Sequence, residues 1–130
     1  PKFLDVYHQQ IKSYNEIGFH LPWIGYIAYS EGKVIGTCSF KGAPKNGKVE
    51  IAYFTFPEQE GKGFGNLMCA CLVEIAKASD PHVVVSARTL PHHNASTSIL
   101  KKNGFTLRDA VKDSEDGEVW EWILDSSVKL

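Results

Sequence analysis

Apolar positions recur along this chain in two rhythms. From Phe3 onward they fall at Val6, Tyr7, Ile11, Tyr14 and Ile17, the spacing of one helical face, which predicts a helix over residues 3–17. Gly18 and Pro22 break that pattern. Residues 23–29 and 34–40 are rich in aromatic and branched side chains and flank a short Ser-Glu-Gly-Lys turn, which predicts a hairpin. A polar loop leads to a third strand over residues 49–56. After a glycine-rich turn, Phe64, Leu67, Met68, Cys71, Leu72, Ile75 and Ala76 form one stripe of a helix over residues 63–79, stopped by Asp80-Pro81. The short apolar run 83–87 suits a buried central strand. Pro91 and Asn94 open a second helix that runs to Asn103, with Gly104 as its stop. Strands over 105–111 and 119–124 follow, joined by an acidic turn. Neither a repeat nor a linker interrupts residues 1–130. The order predicts a single α+β (α/β) domain, a mixed and mostly antiparallel central sheet with helices on both faces.

Composition narrows the function classes. The chain has 130 residues, 43% of them apolar, enough for a real core. Its formal net charge is −1 with no basic block, which argues against nucleic acid as the main partner. The apolar runs fall far short of the roughly 20 residues that cross a bilayer. Cys38, Cys69 and Cys71 are odd in number and irregular in spacing, so they read as buried thiols in a reducing, cytoplasmic setting rather than a disulfide framework. Cys69 and Cys71 lie two apart on a helix and share no face. His92 and His93 are adjacent in a loop and lack further ligands nearby, so no metal centre is expected.

The turn after the third strand carries the clearest chemistry. Gly61, Gly63 and Gly65 alternate with Lys62 and Phe64, between an apolar strand and a helix. Glycine permits positive φ and close approach of a ligand to the backbone. The amides at the helix start, with the helix dipole, favour phosphate oxygens, and Lys62 adds a cation. The spacing is neither that of the dinucleotide fingerprint nor that of the P-loop.

The stretch Pro57-Glu-Gln-Glu-Gly-Lys-Gly-Phe-Gly-Asn-Leu67 resembles the acyl-CoA pyrophosphate loop of the GCN5-related N-acetyltransferase (GNAT) superfamily. About thirty residues on, Asn94-Ala-Ser-Thr-Ser98 and Lys102-Asn-Gly-Phe105 resemble the family's later Asn-x-x-Ser helix and its Lys-x-Gly-Phe end. The resemblance covers about residues 23–124. It implies an acyl-CoA N-acyltransferase-like fold and an enzyme that moves an acetyl group from acetyl-CoA to a primary amine. The acceptor would be a small molecule or a protein N-terminus, with no nucleic-acid or membrane partner; a homodimer is compatible with it. The family opens with a strand before its first helix. No segment is left for it here, so the expectation is a missing first strand or a truncated start.

By the same resemblance, Phe54, Thr55 and Phe56 would line the pantetheine arm, with a backbone N–H near Phe54 facing the thioester oxygen. Glu60, Gly61, Lys62, Gly63, Phe64, Gly65 and Asn66 would surround the pyrophosphate. Glu60 stands where the family prefers Arg or Gln. Asn94 and Ser98 would contact the arm, and Asn94 also suits a plain N-cap. Leu100 occupies the position of a tyrosine that in many members protonates the leaving thiolate. Glu50 is a carboxylate on an otherwise apolar strand, on one face with Ala52, Phe54 and Phe56; there it can serve as the base, taking the amine's proton through water. Two rival functions stay open: a CoA-binding module of the same fold without catalysis, and a nucleotide-phosphate binder with an unrelated glycine turn.

Overall fold

The computed structural model describes residues 5–8 and 22–124. Among the described residues, seven strands form one sheet: β1 (Asp5–His8), β2 (Gly25–Ser30), β3 (Lys33–Phe40), β4 (Lys48–Thr55), β5 (Val84–Thr89), β6 (Thr106–Asp113) and β7 (Gly117–Leu124). The helices α1 (Phe64–Ser79) and α2 (Ala95–Lys102) follow β4 and β5, and a 3-10 turn, Pro57–Gln59, precedes α1. The spatial order is β1-β2-β3-β4-β5-β7-β6. β4 and β5 pair in parallel; the other neighbours are antiparallel. A parallel pair needs a crossover, and α1 supplies it. The expected mixed, mostly antiparallel sheet is therefore the one observed.

One expectation fails. Residues 5–8, assigned above to a helix, form β1, with Val6 opposite Ala28 and Tyr7 opposite Ile27. The opening strand that seemed to be missing is thus present. Apolar residues at positions 3, 6 and 7 fit a short strand as well as a helix, and pairing with the β2 edge satisfies its backbone groups. The rest of the expected helix lies outside the described residues.

The core lies where α1 packs on the sheet. Met68, Cys69, Leu72 and Ala76 are fully buried there. At the far side Trp122 is buried, and its Nε1 donates to Thr89 Oγ1 at 3.0 Å. Trp120 packs half-buried beside it.

Gly36 marks an irregular point in β3. Ala28 faces Gly36 and Tyr29 faces Val34, so Ile35 is the extra residue of a bulge. A Cβ on Gly36 would collide with the Phe54 carbonyl of β4. Gly36→Ala must therefore push β4 aside. A loss of about 1–3 kcal/mol is expected, as for overpacked sites, read as a lower urea midpoint.

The three cysteines are free and buried. Burial pushes the Cys38 thiol up to about 12, aided by Cys71 nearby. Burial does the same to Cys69, with the Tyr53 hydroxyl opposing it in part. A thiol that keeps its proton in the native state stabilises the fold fully below the unfolded thiol range, about 8.5. That contribution is lost as pH rises from there toward the native value. Stability should fall on this alkaline limb, seen as a declining urea midpoint. Cys38 and Cys69 should resist a thiol reagent at about pH 8 until the chain is unfolded.

Candidate functional site

β4 and β5 part company after four residues. Their pairing runs from Lys48↔Val84 to Ile51↔Ala87 and stops. Beyond it β4 stays with β3 as far as Thr55, and β5 stays with β7 as far as Thr89↔Trp120. The strands therefore splay, and two cavities open at the split. One, of about 590 Å³, follows the glycine turn and α2; the other, of about 290 Å³, lies toward β6 and β7. Tyr53 and Ser96 line both.

The direction of the β4 peptide groups decides which residues serve the split. Glu50 O accepts from Lys41 N, and Phe56 N donates to Ile35 O, both toward β3. The Phe54 carbonyl also lies against Gly36 of β3. By two-residue alternation the peptide groups of Tyr53 and Thr55 point the other way, into the split. The strand N–H groups near Phe54 that face the split are therefore those of Tyr53 and Thr55, while that of Phe54 faces β3. Tyr53 was missed from sequence because parity depends on which neighbour each side of the strand pairs with.

Phe54 and Thr55 line the groove; the Phe54 ring is 56% exposed and lies 6.0 Å from the Phe56 ring, centroid to centroid. Phe56 is half-buried and stands behind it. Gly61 and Gly63 have φ of 80° and 85°, and a Cβ on either would meet only open space. Their glycine character thus serves backbone conformation at the groove rather than packing. Gly63 is the N-cap of α1, with no side-chain cap and no acid in the first turn. The amides of Phe64, Gly65 and Asn66 therefore have no partner within the helix, and all three residues line the groove. A Cβ on Gly65 would stand 2.8 Å from Ile99 Cδ1, the tip of a side chain on α2 that would have to shift aside.

Glu60 lines the groove and is exposed. Lys62 does not line it. Its Nζ donates to Gln59 Oε1 at 3.1 Å, and it borders a separate hollow with Ser30 and Lys33. The lysine on the groove wall is Lys102, at the end of α2. Sequence pointed to the lysine inside the glycine turn, whereas the helix face 95, 98, 99, 102 is what brings Lys102 round.

The start of α2 is closed where that of α1 is open. Thr97 N donates to Asn94 Oδ1 at 3.1 Å, and Asn94 N donates to Thr97 Oγ1 at 2.9 Å, a full capping box. Asn94 lines the smaller cavity rather than the groove, while Ser98 lines the groove. Asn66 Oδ1 accepts from Asn103 Nδ2 at 2.9 Å and ties the two helices together.

Glu50 and Ala52 line the smaller cavity, with Arg88, Leu90, Asp113 and Asp116 around them. Lys41 Nζ stands 3.3 Å from Glu50 Oε2, and Arg88 Nη1 stands 3.3 Å from Asp113 Oδ2. Backbone amides of Glu115 and Asp116, with Arg88, hold the Asp113 carboxyl below the usual range. Leu100 is fully buried on the cavity floor. Burial raises the pKa of the Tyr53 hydroxyl, with Cys69 of α1 beside it adding to the rise. His93 packs edge-on against Trp120, centroids 5.1 Å apart.

The model of the acetyltransferase (GNAT) domain matches residues 5–106. The chain belongs to the GNAT acetyltransferase family. Among solved structures, yncA, a putative acetyltransferase from Salmonella typhimurium with acetyl-CoA, is similar at 21% identity and a TM-score of 0.68, over 92% of this chain and 71% of that one. The RimL ribosomal L7/L12 alpha-N-protein acetyltransferase in complex with coenzyme A aligns at 20% identity and 0.67 over 78% of this chain. The aminoglycoside acetyltransferase AAC(6')-Ib with coenzyme A aligns at 23% identity and 0.65, over 78% of this chain and 65% of that one. The chain spans 60% of the length of the RimL structure. No curated protein matches it by sequence.

Proposed function

We propose that the chain is an acetyl-CoA-dependent N-acetyltransferase in which a primary amine, on a small molecule or a protein N-terminus, attacks the thioester directly. The observation that carries this reading is the meeting of groove and charged cavity at the β4/β5 split, with Tyr53 and Ser96 common to both. The similar proteins yncA, RimL and AAC(6')-Ib were solved with acetyl-CoA or CoA. The residues present fit that cosubstrate: open amides and left-handed glycines for a pyrophosphate, unpaired strand groups for the amides of the arm.

In this mechanism Gly61, Gly63 and the amides of Phe64, Gly65 and Asn66 hold the pyrophosphate. Tyr53 and Thr55 bond the arm as a neighbouring strand would, and one of their N–H groups stabilises the charge that grows on the thioester oxygen. Phe54 covers the arm from one side, and Ser98 from α2. Glu50 takes the amine's proton through water, in exchange for its contact with Lys41. The new N–C bond forms, the C–S bond breaks, and the thiolate leaves with the electron pair. Leu100 has no proton to give and the Tyr53 hydroxyl lies beside Cys69, so water protonates the thiolate.

A second reading is a CoA-binding module without turnover. The Lys41–Glu50 pair and the apolar Leu100 favour it. Release of free CoA in the presence of an amine panel separates the two, and its absence with every amine would leave only binding.

Gly63→Val tests the cradle. Nothing lies within 4 Å of the added Cβ, so the core is untouched, but the left-handed φ and the blocked amides remain. CoA affinity should fall by at least about tenfold in calorimetry while circular dichroism stays native. Glu50→Gln tests the base. Turnover should drop by about 10²–10⁴-fold with binding of acetyl-CoA unchanged; full activity in that variant would remove Glu50 from the mechanism.

A further inference from the structure

Lys102 is the lysine that lines the groove, and its position along α2 is informative. Ser96, Ile99 and Lys102 succeed one another on one face of the helix, each about 4.5 Å further along the axis. Ser96 borders the split and is shared with the second cavity. Ile99 faces Gly65 in the first turn of α1. Lys102 comes next, beside the Asn66–Asn103 bond. The wall thus presents the reactive end, then the open amides, then a cation.

Coenzyme A presents its groups in the same order: sulfur, arm, pyrophosphate, and last the ribose with its phosphomonoester. A pyrophosphate diester matches the open amides of α1. A phosphomonoester carries about −1.5 to −2 charges near neutral pH and attracts a lysine more strongly than a diester does. Resting on the proposed acetyl-CoA reading, we infer that Lys102 binds the ribose phosphomonoester and makes the chain select CoA over 3'-dephospho-CoA.

Lys102 also sits in the last turn of α2, where any cation favours the helix dipole. Lys101 shares that turn but does not line the groove, so Lys101→Ala is the matched control. The test is titration calorimetry of the whole chain and of Lys101→Ala and Lys102→Ala with CoA and with 3'-dephospho-CoA. The unaltered chain and Lys101→Ala should bind CoA about fivefold tighter, the upper range for an exposed ion pair. Lys102→Ala should bind both ligands alike, with 3'-dephospho-CoA affinity unchanged. The preference should shrink with added salt. Equal weakening of both ligands in Lys102→Ala would place the lysine on the pyrophosphate or in a structural role and overturn the inference, as would equal binding of both by the unaltered chain. Failure of both ligands to bind the unaltered chain would instead remove the CoA reading itself, and this inference with it.

Discussion

The early end of β4–β5 pairing is the constraint on which the site depends. Each strand keeps a partner on its outer side past the split, β3 for one and β7 for the other. Each has an unpaired edge on its inner side. A backbone group buried without a partner costs about 1–3 kcal/mol, so that inner edge must face water or a ligand. The fold answers with open space on both sides of the split. The sheet is held apart by what stands on either side: Leu100 of α2 fills the floor of one cavity, and the Trp122–Thr89 hydrogen bond fixes the end of β5 against β7.

The two helices solve the same end problem in opposite ways. α2 has eight residues, too few to be stable alone. Its start is locked by the reciprocal Asn94–Thr97 bonds, a device whose loss typically costs about 1 kcal/mol. α1 has sixteen residues and a fully buried face, so its stability comes from packing and it can leave its first turn without a side-chain cap. A side chain at Gly63 able to cap would also cover the amides. The open start is therefore affordable only on the long helix, and it is the long helix that follows the glycine turn.

Much of this was legible in the sequence. Pattern and composition located six strands and both described helices within about two residues: α1 by its long apolar stripe, β2 and β3 by their aromatic and branched residues around a turn, and β5 as a short apolar run. β1 was not legible, since four residues cannot distinguish the two rhythms. The glycine turn was found, and Gly61 and Gly63 have the positive φ expected of it, while Gly65 also lies against the Ile99 side chain of α2. What sequence missed depends on rotation rather than position. Tyr53 enters the split because of strand parity, Lys102 because of helix phase, and Lys62 leaves the groove because its side chain turns to Gln59. Glu50 was identified from its oddity in an apolar strand, yet its contact with Lys41 joins residues on two strands whose register no local pattern gives.

Charge in the smaller cavity follows a different logic from charge in the core. Lys41–Glu50 and Arg88–Asp113 are partly exposed pairs, a class whose contribution is about 0–1 kcal/mol. They do little to hold the fold, so exchanging one partner for a group of an incoming molecule costs the protein little. Among the cavity's charged linings, Glu50, Asp113 and Asp116 outnumber Lys41 and Arg88. On the proposed reading, this small acidic excess would favour a cationic amine over an anion in this cavity. The groove is the reverse case: open amides at one end of the wall, Lys102 at the other, and Glu60 at the exposed rim. On the proposed reading, an anion and a cation would be drawn to opposite sides of one split and would meet where Tyr53 and Ser96 form the shared boundary.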